Sequence, residues 1–125
     1  LSFPTWPLMG YSFIPTALYR DGWISAFEQV TTIHFNHRML AYLTALVIVI
    51  VVTRSLTKSA DSRVRMASWI LLLTLAWQVL LGISTVLTHV AIPIAAAHQS
   101  GAVLLLTATV FWVHSKQTEN LRSDF

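Results

Sequence analysis

Two histidines in this 125-residue chain each stand at the start of an apolar run. Phe35-Asn36-His37-Arg38 opens one run, and Ala97-His98-Gln99-Ser100-Gly101 opens another. His37 lies 17 residues before Arg54, and His98 lies 18 before Lys116, where the next charged segments begin. If both runs are helices across a bilayer, a rise of about 1.5 Å per residue puts both imidazoles about 25–27 Å above the same boundary. Two imidazoles at one depth on separate helices have the geometry needed to grip a flat, metal-bearing cofactor such as haem from both faces. The same placement suits two interfacial histidines bonded to water or to backbone carbonyls, and spacing alone leaves both readings open.

The neighbouring residues bear on that choice. Ala41 follows His37 by four positions, Gly101 follows His98 by three and Ala102 by four, so each shares its histidine's helix face. Small residues there let a macrocycle approach the backbone, and equally let two helices pack closely. The fixed fork of donors on Arg38 suits a carboxylate such as a haem propionate, although snorkelling to a lipid phosphate would also satisfy it. Gln99 can donate to a propionate or face water. His34, one turn before His37, reads as a wet interfacial histidine. His89 and His114 fall too far along the chain from the pair and read as structural. Gln78, Gly82 and Thr85 share one face of the middle apolar run and read as a helix-packing stripe. Paired carboxylates, a glycine-rich phosphate loop, a zinc-protease motif and a nucleophile elbow are all missing from the sequence.

What must position these residues is set by composition. The chain is 55% hydrophobic and 10% charged, against about a quarter charged in soluble domains, and its mean hydropathy is +0.65. Three runs, about 34–53, 66–87 and 94–115, each have about 20 residues, the length that crosses roughly 30 Å of hydrocarbon. The fold class expected is all-α, an integral membrane bundle of three transmembrane helices whose first partner is the lipid bilayer. The net charge is +3, but four of the eight basic residues fall within 54–65. That reads as a membrane-flanking loop on the cytoplasmic or matrix side, so no nucleic-acid partner is expected. The absence of cysteine excludes thiolate metal sites, iron–sulfur clusters and disulfides.

The topology expected has the N-terminus outside and the C-terminus inside. Residues 1–33 form an outer-face interfacial segment leading into the first span, aromatic-rich and broken by Pro4, Pro7, Gly10, Pro15 and Gly22. Ser25-Ala26-Phe27-Glu28 fits a capping box, which predicts a helix unbroken from there to Thr53. Trp23, Phe27, Val30 and His34 then share a face against the interface. Arg54–Arg65 is the inner connector, Thr88–Pro93 the outer turn, and 116–125 an inner-face polar tail. The chain opens on Leu1 without a signal-peptide pattern, and the expectation is a part of a longer protein.

Four motifs, in order, resemble the C-terminal half of the haem A synthase family. They are Phe3-Pro4-Thr5-Trp6-Pro7-Leu8-Met9-Gly10, Ile33-His34-Phe35-Asn36-His37-Arg38-Met39-Leu40-Ala41-Tyr42, Gln78-Val79-Leu80-Leu81-Gly82-Ile83-Ser84-Thr85 and Pro93-Ile94-Ala95-Ala96-Ala97-His98-Gln99-Ser100-Gly101-Ala102. The resemblance covers essentially residues 3–115. It implies an eight-helix protein of two similar halves, of which this chain supplies the last three helices. That protein oxidises the C8 methyl group of haem O, its substrate, to a formyl group, giving haem A for cytochrome oxidase. By motif, His37 and His98 correspond to the C-terminal histidine pair, the axial ligands of haem b iron; Arg38 and Gln99, read above from their donors, join them as candidate cofactor-binding residues. No catalytic residue is carried over: the catalytic half has a glutamate one turn before its first histidine, and His34 stands in that place here. Taken alone, residues 1–125 are expected to be inactive. The partners implied are the missing N-terminal half, haem O synthase and an electron donor, with homo-oligomer formation left open. The membrane implied is the bacterial cytoplasmic or mitochondrial inner membrane. A different class of function, a non-enzymatic haem-binding electron-transfer or assembly module, fits the same three helices.

Overall fold

The computed structural model describes residues 3–124. A 3-10 turn at Gly22–Ile24 leads into α1 (Ser25–Glu28), α2 (Val30–Lys58), α3 (Ser62–Leu87) and α4 (Ile92–Ser123). No strand occurs among the described residues; a single bridge between Met9 and Ser12 closes a turn in the N-terminal segment. The last three helices are long and apolar enough to cross a membrane. Their large side chains face outward on many sides, among them Leu43, Leu46 and Ile50 on α2, Leu73, Trp77 and Leu80 on α3, and Leu104, Leu106 and Val110 on α4. A helix apolar all round is matched to lipid rather than to water.

The helices are held together in the halves nearer the α2–α3 connector, the inner end, with the α3–α4 turn at the outer end. Ile48 and Val52 of α2, Leu71 and Leu75 of α3, and Ala108 of α4 form the buried core. Val64, Ala67 and Ser68 of α3 and Ser115 of α4 are also buried, farther toward the inner end. Small side chains let the α3 and α4 backbones approach closely, the arrangement favoured where water supplies no hydrophobic drive. The indole Nε1 of Trp112 donates to Ser68 Oγ at 2.9 Å across that contact. Polar ties close the inner end. Ser59 donates to Glu119, Lys116 pairs with the same carboxylate, and Arg122 lies 3.9 Å from Asp61. The backbones of α2 and α4 come nowhere within 8 Å of each other, so α3 is the spacer that carries both.

Several boundaries differ from the sequence expectation. Gln29 is extended (ψ 110°) and separates α1 from α2, so the helix does not run unbroken from Ser25. No capping box forms. The Ser25 hydroxyl accepts from the backbone N–H of Asp21 instead, at 2.9 Å. The inner connector shrinks to residues 59–61, because α2 continues through Lys58 and Asp61 caps α3 by accepting from the N–H groups of Arg63 and Val64. The polar tail is helical through Ser123. The outer turn is tight: Thr88, His89 and Val90 donate to Ser84, Val86 and Thr85, and α4 starts at Ile92–Pro93, where proline suits the first turn.

Ala108 is 6% exposed inside the shared core. Ala108→Leu is expected to overpack it by about 1–3 kcal/mol, read as a lower thermal unfolding midpoint of the protein in detergent. An unchanged midpoint would show that α3 and α4 are not closely packed there.

Candidate functional site

His37 stands seven residues into α2 and His98 six residues into α4, so both lie about two turns below the outer helix ends. The structure brings them together. Their ring centres are 6.3 Å apart and their planes are nearly perpendicular, at 85°. The buried core begins 11 residues farther along α2 and 10 farther along α4, roughly 15 Å toward the inner side. Beside the histidines Ala41 and Ala102 remain exposed. The bundle is therefore closed below the pair and open around it.

The middle helix seats His98. Gly82 faces its ring, and a Cβ there would lie 3.0 Å from His98 Cε1. Gln78, one turn earlier, donates through Nε2 to the His98 backbone carbonyl at 3.0 Å. Gly101 makes room for that amide, since a Cβ at 101 would collide with Gln78 Oε1. For Gly101 the helix–helix explanation of its small size is the one realised. The Gln78–Gly82 stripe is a packing surface, and what it packs against is the histidine. The clue in the sequence was that Gln78 is the one side-chain amide in the middle apolar run, where water is scarce and an amide must find a partner.

Arg38 is 7% exposed and is committed to the N-terminal segment. Its Nη2 donates to the carbonyls of Thr5 (2.8 Å) and Phe3 (3.4 Å), and its Nη1 to those of Leu8 (3.3 Å) and Pro7 (3.5 Å). The segment is shaped to offer them. Thr5 Oγ1 bridges the Leu8 carbonyl and the Gly10 N–H, and Gly10 takes a φ of 75°, which glycine adopts at little cost. Farther on, Tyr19 reaches α2 by its hydroxyl to Asn36 (3.1 Å) and its N–H to Thr32 (3.3 Å). The segment thus folds onto the outer end of α2. Arg38 has no carboxylate partner among the described residues, and its Nε–H is buried and unpaired.

Other unpaired buried atoms gather nearby. Besides Arg38 Nε, they are His34 Nδ1, His98 Nδ1 and Gln78 Oε1; Ser55 Oγ alone belongs to the inner half. Gln99 is exposed and has no side-chain hydrogen bond among the described residues. His89 and His114 are exposed near opposite ends of the bundle. Glu28 is exposed at the end of α1. The exposed rings of Trp23 and Phe27 meet edge-on, with centres 6.4 Å apart.

A model of the COX15-CtaA family, described as cytochrome oxidase assembly protein, matches residues 1–110. Among curated proteins, one named "Heme A synthase" from Nitrosospira multiformis is 40% identical over 116 residues, which cover 91% of this chain and 32% of that protein. Proteins of the same name from Granulibacter bethesdensis and Paracoccus denitrificans are 38% and 41% identical, over 92% and 82% of this chain and 30% and 27% of theirs. The chain spans about a third of the length of these relatives. No solved structure matches it.

Replacing Arg38 leaves four carbonyls without their donor. Arg38→Met is expected to weaken local docking of residues 3–10 by about 3 kcal/mol, a rise of roughly a hundredfold in limited proteolysis of that segment. Arg38→Lys, which keeps the charge but not the fork, is expected to restore only part of the protection. Equal resistance in all three proteins would mean that the segment is held by something else.

Proposed function

Because the chain belongs to the COX15-CtaA family of cytochrome oxidase assembly proteins, we propose that it is the C-terminal, haem b-binding part of a membrane haem A synthase. In this reading His37 and His98 are the axial ligands of the haem iron. The observation that carries it is the separation of the two rings. Two in-line metal–imidazole bonds of about 2 Å each put the ring centres a little over 6 Å apart, and the rings stand at 6.3 Å. The exposed Ala41 and Ala102 leave the flanks of the pair free for a macrocycle.

The remaining residues have roles that follow from their chemistry. Arg38, buried and without a carboxylate, supplies positive charge and one unused N–H toward a propionate at the outer face. Gln99, adjacent to His98 and exposed, offers a second donor at the same level. A haem bound here supplies one-electron transfer. The C8 methyl oxidation of haem O to the formyl group of haem A, the activity of the full-length protein in this reading, belongs to its other half. In support, no carboxylate stands beside His37, and the position one turn before it holds His34. A haem O synthase and an electron donor are the partners this activity requires.

The full-length protein in detergent is expected to show a low-spin, bis-histidine haem spectrum. His37→Ala and His98→Ala are each expected to abolish that signal and lower haem content at this site by at least about tenfold. Normal haem content and spectrum in both variants would overturn the ligand assignment.

A further inference from the structure

Gln78 is placed to act on His98 through the backbone rather than through the ring. In an α-helix the His98 carbonyl already accepts from the N–H four residues on, that of Ala102. The Nε2–H of Gln78 therefore occupies the carbonyl's second lone pair, reaching across from α3 at 3.0 Å. Such a bond is held firmly where no water competes for either group. It fixes α4 against α3 both in depth and in rotation, at the residue that bears the imidazole. One turn along α3, Gly82 lets the ring itself lie against the helix, with His98 Cε1 3.0 Å from where a Cβ would be. One turn along α4, Gly101 leaves the space that the Gln78 amide fills. Three residues on two helices thus hold the backbone and the ring of one histidine. His37, by contrast, is exposed on α2 and makes no side-chain hydrogen bond among the described residues.

We infer that Gln78 is a positioning residue, which sets the orientation of the His98 imidazole toward the haem iron and, with Gly101, forms one interlocking unit across α3 and α4. The inference rests on the haem reading above and deepens it. Ligand geometry must be kept to within about 0.5 Å and 10–20°, and α4 cannot turn or slide past α3 at His98 without breaking the Gln78 bond. The arrangement makes the two sides of the haem unequal: the His98 side is rigid, and the His37 side adapts.

The test is a double-mutant cycle on the full-length protein, read by the electron paramagnetic resonance signal of the ferric low-spin haem and by the rate of haem transfer to apomyoglobin. Gln78→Ala removes the bond, and Gly101→Ala drives a methyl group into the space of the amide. Each is expected to shift the largest g value and to speed haem loss by about tenfold or more. The double variant is expected to match Gln78→Ala, because the methyl then has room; such non-additivity marks a shared contact. Gln78→Met, which keeps the length of the side chain without its donor, is expected to show the same spectral shift and guards against a packing defect. Native signals in both Gln78→Ala and Gln78→Met, or additive losses in the double variant, would overturn the inference. His98→Ala run alongside separates the two levels. Loss of the signal there with native signals in the Gln78 variants sinks the positioning role alone; retention there sinks the ligand assignment and the positioning role with it.

Discussion

The interior of a bilayer offers no water, so a polar group placed there must be satisfied by the protein. Several hydroxyls of the three long helices meet this constraint locally. Thr53, Thr74, Thr85, Thr107, Thr109 and Ser115 donate to the carbonyl four residues before them on their own helix. Trp112 and Gln78 solve the same problem between helices, and Arg38 solves it by drawing four carbonyls of the N-terminal segment around its guanidinium. The exceptions give the constraint its diagnostic value. Four of the five unpaired buried atoms belong to His34, Arg38, Gln78 and His98, all in the outer half of the bundle. The protein thus leaves its own polar atoms unpaired mainly in one place, around the histidine pair.

Packing follows the same division. The inner half is closed by a core of medium and small side chains and by the Ser59, Glu119, Lys116 cluster beneath it. The outer half is held by single, specific contacts between α3 and α4 and by the Arg38 anchor. Glycine at 82 and 101 costs each helix about 0.5–1 kcal/mol in propensity. Both glycines sit where a methyl group would strike the histidine or the amide that holds it. The loss is accepted at the two positions where closeness serves the pair.

The sequence revealed the three spans, because each span is a long apolar run and lipid imposes that composition directly. It also revealed the histidine pair, since residue type and distance from charge determine depth. Less could be read wherever a partner lies far away in sequence. The Ser25-to-Glu28 pattern matched a capping box, but Ser25 turned to Asp21 and the chain broke at Gln29. Arg38 looked like a free fork at the membrane boundary; its acceptors lie 30 to 35 positions upstream in a segment with no periodicity to predict its path. Gln78 was legible as part of a helix-packing stripe, but which carbonyl its amide would meet depends on the rotation of α3 against α4. That rotation is set by packing rather than by local pattern.

The separation of α2 from α4 gives the site its mechanical meaning. The two helices that bear the histidines have no backbone approach within 8 Å anywhere along their length, and each is positioned through α3. His98 is fixed to that spacer by Gln78 and Gly82, whereas the part of α2 that bears His37 is held by the N-terminal segment at Arg38 and reaches the shared core only about three turns farther on, at Ile48 and Val52. At the outer end the two helices meet through the His37 and His98 rings. A group held by both rings would add a link there and stabilise the folded bundle by mass action. The bundle is in this sense asymmetric by construction: His98 is held between two helices packed against each other, and His37 by α2 and the N-terminal segment docked on it.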